Sequence, residues 1–380
     1  MPHSESRFSK RLVWASVTPT IWFTVASLTS LAVAQCPPPL TSPNEFLSRH
    51  YDYIIVGGGT AGLTVATRLS EEHGFSVGVL EAGYLHIPDP NISVPLYDNN
   101  PVFNPMYDWM MSTVPQSSTA GRSILAAPRG KILGGSSAIN SMAWTRASLA
   151  EYAVWDDLGD YPGGWNWDGL LPYFMKSQTR QPNSSPGLPG FMTYFADNGF
   201  SGPINTSLNT VYSDIVPPYI ESMNNLNISV NLSPLDGNSS GLWNTPVAVD
   251  RRTGTRADSA IGYYCPSATR SNLHVLSGAT VSRIIFDSHA ISTGLKASGV
   301  VFFSGESQYT VNATREIILS AGVLKTPQLL ELSGIGNATL LEQVGVTPLI
   351  NLPGVGENLQ EHVFVSSDFE LMDGYTTFGT

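Results

Sequence analysis

The chain has 380 residues, of which 42% are hydrophobic and 13% are charged, and its formal net charge is −11. This composition is ample for a packed core, and it excludes a disordered or fibrous protein. The acidic balance provides no basic surface of the kind that binds nucleic acid, so we expect neither DNA nor RNA as a partner.

Residues 1–34 have the pattern of an export signal. Basic residues Arg7, Lys10 and Arg11 precede a long apolar run that ends in Ala32-Val33-Ala34, an A-x-A cleavage site. An uncleaved membrane anchor is the alternative, because the run is long for a signal, although Pro19 and several Ser and Thr residues dilute it. We expect a secreted protein with no stable membrane partner.

Eight N-x-Ser/Thr sequons fit a secreted glycoprotein. They lie at Asn91, Asn183, Asn205, Asn227, Asn231, Asn238, Asn312 and Asn337. The only cysteines, Cys36 and Cys265, could pair in an oxidising compartment, but we expect Cys265 to be a buried thiol instead. The seven histidines are scattered without ligand spacing, so the sequence predicts no metal site.

The first folded element predicted is a dinucleotide-binding βαβ unit. An apolar strand, Tyr53 to Val56, runs into Gly57-x-Gly59-x-x-Gly62, a helical stretch follows, and a second apolar run ends at Glu81. The glycines permit a tight turn and close approach of a diphosphate to the helix N-terminus. Glu81 lies 19 residues beyond Gly62, where a carboxylate can accept hydrogen bonds from a ribose diol.

Two further segments stand out along the chain. After a long surface excursion from Tyr84 to Gln116, the Gly134-Gly135-Ser136-Ser137 turn offers backbone N–H groups and hydroxyls to a diphosphate or a flavin edge. Residues 150–245 read as an inserted region, and a meander of strands follows between Leu273 and Ser320. After it, Pro327 is predicted to open a helix that ends before Gly334.

Three motifs together resemble those of the glucose-methanol-choline (GMC) oxidoreductases, flavoenzymes that bind FAD. They are the Gly57 to Glu81 unit, the Gly130-Lys-x-x-Gly-Gly-Ser-Ser-x-Ile-Asn140 run and the Thr326-Pro-x-Leu-Leu-x-x-Ser-Gly-Ile-Gly336 run, within a resemblance that covers Asp52 to His362. The resemblance implies an α/β fold, in which a Rossmann-like FAD-binding domain is built from discontinuous segments beside part of an α+β substrate-binding domain.

The resemblance also assigns cofactor contacts by matching position. Thr60 and Ala61 would lie against the diphosphate, and Glu81 with Ala82 would hold the adenosine ribose. The backbone of Val281 would meet the adenine. The full expected set is Gly57, Gly59, Thr60, Ala61, Gly62, Glu81, Ala82, Ser136, Asn140, Ser141, Met142, Ala143 and Val281.

Two further expectations concern the surroundings of the flavin and its linkage to the protein. Trp109 and Trp144 could lie beside it, but we expect them in the core. Some relatives link FAD covalently through a His just before the motif's Asn, and here that position is Ile139. The resemblance therefore implies noncovalent FAD.

The implied activity is that of a FAD-dependent alcohol oxidase or dehydrogenase of the aryl-alcohol kind, with oxygen or a quinone as acceptor. In the family a C-terminal His, paired with a second His or Asn, removes the hydroxyl proton, and this pair has no counterpart up to Thr380. The catalytic residues are therefore unknown, and His362 matches a structural turn rather than the base. The chain could be a fragment of an active enzyme, a short form with impaired catalysis, or a flavin-binding lyase or cyclase without net redox.

The predicted domain organisation follows from these segments. It comprises a signal peptide (1–34), a Pro-rich linker (35–49), a first FAD-binding segment (50–150), an inserted substrate-side region (151–245), a second FAD-binding segment (246–362) and the start of a missing C-terminal domain (363–380).

Overall fold

A six-stranded, mostly parallel sheet is the centre of the fold in this computed structural model, in which the strand order is β7-β2-β1-β10-β9-β8. The strands of the chain are β1 (Tyr51–Val56), β2 (Val77–Glu81), β3 (Gln178–Arg180), β4 (Ile204–Thr206), β5 (Val249–Asp250), β6 (Thr255–Arg256), β7 (Leu273–Ser277), β8 (Thr280–Phe286), β9 (Ala297–Ser304), β10 (Ser307–Leu319), β11 (Ile335–Gly336) and β12 (Ile350–Asn351). The structure describes residues 36–117, 121, 128–158, 163–182, 198–209, 211–287, 294–361, 370–372 and 374–375.

The helices are mostly short and connect or flank these strands. They are α1 (Pro43–Leu47), α2 (Thr60–Leu69), α3 (Pro90–Ser93), α4 (Leu149–Leu158), α5 (Trp167–Ser177), α6 (Val216–Asn225), α7 (Cys265–Ser267), α8 (Gly322–Leu332) and α9 (Ala338–Gln343), with 3₁₀ turns at Pro95–Tyr97 and Gly135–Ala138 and a π-helix at Ala260–Tyr264.

Strands from two distant parts of the sequence form the sheet together. β1 pairs in parallel with both β2 and β10, and β2 pairs in parallel with β7. The first half of β10 instead pairs antiparallel with β9, which pairs antiparallel with β8. The predicted α/β class, with a parallel sheet assembled from discontinuous segments, is confirmed.

The central strands are buried because their sequences are apolar without alternation, as expected of parallel strands covered on both faces. All five residues of β2 are buried, and Ile54 of β1 is inaccessible to solvent. Ile54 packs in one core cluster with Phe46, Leu276 and Phe302. This rigid centre holds the carboxyl ends of β1 and β2 in place, where the glycine turn and Glu81 follow.

Two local predictions are wrong. Both cysteines, Cys36 and Cys265, are disulfide-bonded, and Cys265 is only half-buried, so the expected buried thiol is not found. Helix α8 begins at Gly322 rather than at Pro327, which lies inside it. The start is set by the turn out of β10, where Gly322 has φ +84°, a conformation that L side chains rarely adopt.

Several predictions concern residues outside the described part of the chain. These are the export signal, the Asn183 sequon and His362. Among the described residues, no helix has the length and apolar character needed to span a membrane. The same residues hold no group of three or more His, Cys, Asp and Glu side chains placed to bind a metal ion.

Candidate functional site

The first glycine motif forms a tight turn between β1 and α2. Gly57 has φ +98°, and a Cβ there would lie 2.4 Å from the carbonyl oxygen of Ser320. A Cβ on Gly62 would lie 1.9 Å from the carbonyl oxygen of Gly57. Gly59 is the N-cap of α2 and has no side chain to satisfy the first N–H groups of the helix. These N–H groups and the helix dipole favour an anion at this end.

The Gly-Gly-Ser-Ser motif packs directly on this turn. The N–H of Gly134 donates to the carbonyl oxygen of Gly58 over 2.9 Å. A Cβ on Gly135, which has φ +55°, would lie 2.6 Å from the Cα of Gly59. Ser136 accepts a hydrogen bond at Oγ from the N–H of Gly130 over 3.2 Å. Only backbone without side chains allows the two turns to approach this closely, so the two motifs form one surface.

Glu81 ends β2 beneath the turn, and its carboxylate is held by backbone donors. Its Oε2 accepts from the N–H of Gly58 over 2.6 Å, and its Oε1 accepts from the N–H of Gly83 over 2.7 Å. Burial raises the pKa of Glu81 to about 7, although these N–H donors and the charge of Lys131 oppose the rise. The carboxyl group is therefore oriented before any ligand arrives, and it titrates near neutral pH.

A cavity of about 890 Å³ opens where the three motifs meet. Eight of the thirteen predicted cofactor residues line it, namely Gly57, Gly59, Thr60, Ala61, Glu81, Ala82, Ser136 and Val281. Its volume lies in the range of cofactor sites, and it runs from the helix N-terminus past Glu81 to β8. The structure thus brings together residues that are 224 positions apart in the chain.

The other five predicted residues do not line this cavity. Gly62 lies behind the turn, where it allows α2 to pack against Gly57. Asn140, Ser141, Met142 and Ala143 follow the 3₁₀ turn that begins at Gly135. All but Met142 are exposed, and Met142 is buried with φ +61°.

Sequence reasoning missed other cavity residues. Trp109 lines the cavity and is only half-buried, so the expectation that it belongs to the core is wrong. The Nζ atoms of Lys325 and Lys131 lie 4.8 and 5.1 Å from the centre of its ring, distances typical of cation–π contacts. The start of α8, including Lys325, forms one wall, which the third motif's position after β10 could have indicated.

None of the described histidines lines the cavity. His274 lies on β7 and accepts at Nε2 from Arg49 over 2.7 Å, and burial lowers its pKa. His86 lies 3.8 Å from Asp89, and burial lowers its pKa as well. The described residues therefore assign no histidine to proton transfer in this cavity.

Comparison with known proteins identifies relatives among oxidoreductases and dehydrogenases. The profile described as GMC oxidoreductase matches residues 51–364. A dehydrogenase of Armillaria gallica is 40% identical over 353 residues, which make up 90% of this chain and 55% of that protein. The chain thus spans about half the length of the curated relatives it matches.

Two solved structures resemble the fold. A FAD-dependent oxidoreductase from Chaetomium thermophilum superposes with a TM-score of 0.73 at 34% identity, over 80% of this chain and 51% of the other. A fungal aryl-alcohol oxidase superposes with a TM-score of 0.70 at 30% identity, over 81% of this chain and 51% of the other.

Proposed function

The chain belongs to the GMC oxidoreductase family of FAD-binding flavoproteins, and on that premise we propose that it oxidises the CH–OH group of a small-molecule alcohol. One observation carries the proposal. The two glycine-rich turns, the carboxylate of Glu81 and strand β8 line a single cavity, as a dinucleotide with an adenosine at one end requires.

The residues present fit FAD. A Cβ on Gly57 or on Gly135 would clash with the backbone of a neighbouring segment, so the missing side chains allow the turns to pack together and leave the N-terminus of α2 open to a diphosphate. We propose that Thr60 and Ala61 lie against the diphosphate and that Glu81 accepts hydrogen bonds from the ribose hydroxyls. Val281, on the β8 wall, would contact the adenine.

The remaining predicted residues would complete the site. Ser136 lines the cavity, and residues 140–143 continue from its turn toward the side that we assign to the isoalloxazine ring. Ile139 is 3% exposed and packs in an apolar cluster with Ile92 and Tyr107. It has no nucleophilic atom, so we propose that FAD is bound noncovalently.

Bound FAD would supply the acceptor for the hydride of the alcohol's C–H bond, and oxygen or a quinone would be the final acceptor of the two electrons. The chain's own residues bind and orient the cofactor. Trp109 and Leu324 contribute apolar surface to the cavity wall, which favours an aromatic or other apolar alcohol. The similarity to an aryl-alcohol oxidase supports the same substrate class.

We also propose that the protein is exported. The disulfide-bonded state of Cys36 and Cys265 supports an oxidising compartment, and the sequence of residues 1–34 has the signal pattern. The division into a signal, a linker and two FAD-binding segments around an inserted region stays a prediction.

Anaerobic reduction of the FAD-loaded chain tests the activity. Benzyl alcohol, an aliphatic alcohol and glucose are added in turn, and the visible flavin absorbance is followed. We expect bleaching by the aromatic alcohol and recovery on admitting oxygen or a quinone. If dithionite bleaches the bound flavin but no alcohol does, the proposed alcohol oxidation is refuted while FAD binding stands.

A further inference from the structure

Arg256 is a buried cation that ties the Gly-Gly-Ser-Ser segment to helix α3. It lies on β6 and is only 2% exposed. Its Nε donates to the carbonyl oxygen of Ile92 over 2.8 Å. Its Nη1 donates to the carbonyl oxygens of Ser137 and Asn140 over 3.2 and 2.6 Å. One guanidinium therefore connects three backbone carbonyl groups in two separate segments of the chain.

The same guanidinium fixes the side chain of Asn140. Its Nη1 also donates to Oδ1 of Asn140 over 2.9 Å, and the N–H of Met142 donates to that oxygen over 3.1 Å. Because both partners can only donate, the amide of Asn140 has a single allowed orientation. Its Oδ1 is turned inward, and its Nδ2 amino group is left for the exposed side.

The outward amino group has no protein partner among the described residues. Asn140 as a whole is exposed, so its two N–H donors are available to a ligand. A free asparagine at an exposed turn would sample several rotamers and both amide orientations, whereas the side chain of Asn140 is held at Oδ1 by two donors. Such rigidity is what a binding site needs, because a preorganised donor loses little entropy when the ligand arrives.

We propose that Arg256 is a positioning residue that holds Asn140 so that its Nδ2–H groups face bound FAD. The inference rests on the proposed function, in which residues 140–143 lie on the isoalloxazine side. Arg256 acts through Asn140 and does not itself touch the cofactor. Lysine cannot replace it, because a single ammonium lacks the planar fork that reaches Ile92 and Asn140 together.

Burying the guanidinium of Arg256 costs free energy, and a positioning role explains why an arginine is present despite this cost. Burial lowers the pKa of Arg256, while the nearby carboxylates of Asp258 and Asp98 oppose the change. The Nη2 atom is buried and has no hydrogen-bond partner among the described residues. An apolar side chain would avoid both costs, so an arginine kept only for packing would be a poor choice at this position.

The test measures FAD affinity and the visible flavin spectrum of Arg256→Met, Arg256→Lys, Asn140→Ala and the Arg256→Met/Asn140→Ala pair. Arg146→Met is the matched control, because Arg146 is also buried and bonds the Leu235 carbonyl oxygen in a different region. We expect both single variants, Arg256→Met and Asn140→Ala, to weaken FAD binding about tenfold and to shift the spectrum alike. The double variant should be no weaker than either.

Two outcomes overturn the inference. One is that Arg256→Met lowers the unfolding temperature as Arg146→Met does but keeps the wild-type FAD affinity and spectrum. The other is that the effects of the two substitutions multiply. If Arg256→Met fails to fold, Asn140→Ala and Arg256→Lys carry the test, since unchanged FAD binding and spectrum in both would refute the role. Absence of FAD binding by the wild-type chain would instead refute the proposed function.

Discussion

Gly62→Ala tests whether the closeness of α2 to the glycine turn is required for FAD binding. The new Cβ would lie 1.9 Å from the carbonyl oxygen of Gly57 and 3.3 Å from the Cβ of Ser320. Contacts below 3.0 Å are essentially not observed for real Cβ atoms, so α2 or the turn must move by about 1 Å. Overpacking of this kind costs about 1–3 kcal/mol.

The expected loss of FAD affinity follows from that cost. If the turn must recover its original form to bind the diphosphate, about 1–3 kcal/mol corresponds to a dissociation constant raised roughly 5- to 150-fold. The intrinsic helix propensity acts in the opposite direction, because alanine inside a helix is favoured over glycine by about 1 kcal/mol. A loss of binding by Gly62→Ala therefore reports the clash and not a weaker helix.

Gly74→Ala is the matched control in the same βαβ unit. A Cβ on Gly74 would meet nothing within 4 Å, so we expect FAD affinity within about twofold of wild type and stability changed by less than about 1 kcal/mol. Both variants are titrated with FAD by flavin fluorescence and unfolded by heating. If Gly62→Ala binds FAD as tightly as Gly74→Ala and unfolds at the same temperature, the packing argument is refuted.

Three other predictions address the ionisation of Glu81, glycosylation and the flavin linkage. Since burial raises the pKa of Glu81 from 4.5 to about 7, its contribution to stability is full below pH 4.5 and is lost as the pH rises through 7. Glu81→Gln should therefore remove roughly 3 kcal/mol of pH dependence from the unfolding free energy measured by denaturant. A pH profile like that of the wild type would contradict the raised pKa of Glu81. In a secreting host, glycopeptide mapping should find glycans on exposed Asn227 and Asn238, but none on Asn231, whose Nδ2 is bound to two carbonyl oxygens; a glycan on Asn231 would show that the hydrogen bonds do not protect it. Acid precipitation of the FAD-loaded protein should leave a colourless pellet because Ile139 cannot hold the flavin covalently, and a yellow pellet would show a bond elsewhere.

The nucleotide-binding unit could be predicted because its signals are local. The apolar run of β1, the glycines and the acid at the end of β2 act on their immediate neighbours, and the structure places Glu81 beside the turn at Gly58. The later strands were also predictable from their apolar runs and turns. Their observed bounds differ from the predicted ones only at the ends. Strand β10 begins well before its apolar half, because its first residues pair with β9.

The remaining features depend on contacts between distant residues. Trp109 lies in a segment without periodicity, so the sequence gives no indication of which side faces the cavity. Arg256 and Asn140 are 116 residues apart, and neither is part of a motif that points to the other. Pro327 follows the rule for helix starts, but the conformation of Gly322 set the start five residues earlier.

Hydrogen exchange with and without FAD tests whether the three motifs form one FAD site. We predict slower amide exchange on adding FAD at residues 57–62, 81–83, 130–136, 279–282 and 322–329, which all contribute to the cavity wall, with saturation at one FAD per chain. The inserted segment 163–182, which supplies no residue to the cavity wall, should be unchanged. No protection in these segments, or protection confined to another part of the chain, would show that the three motifs do not form one FAD site.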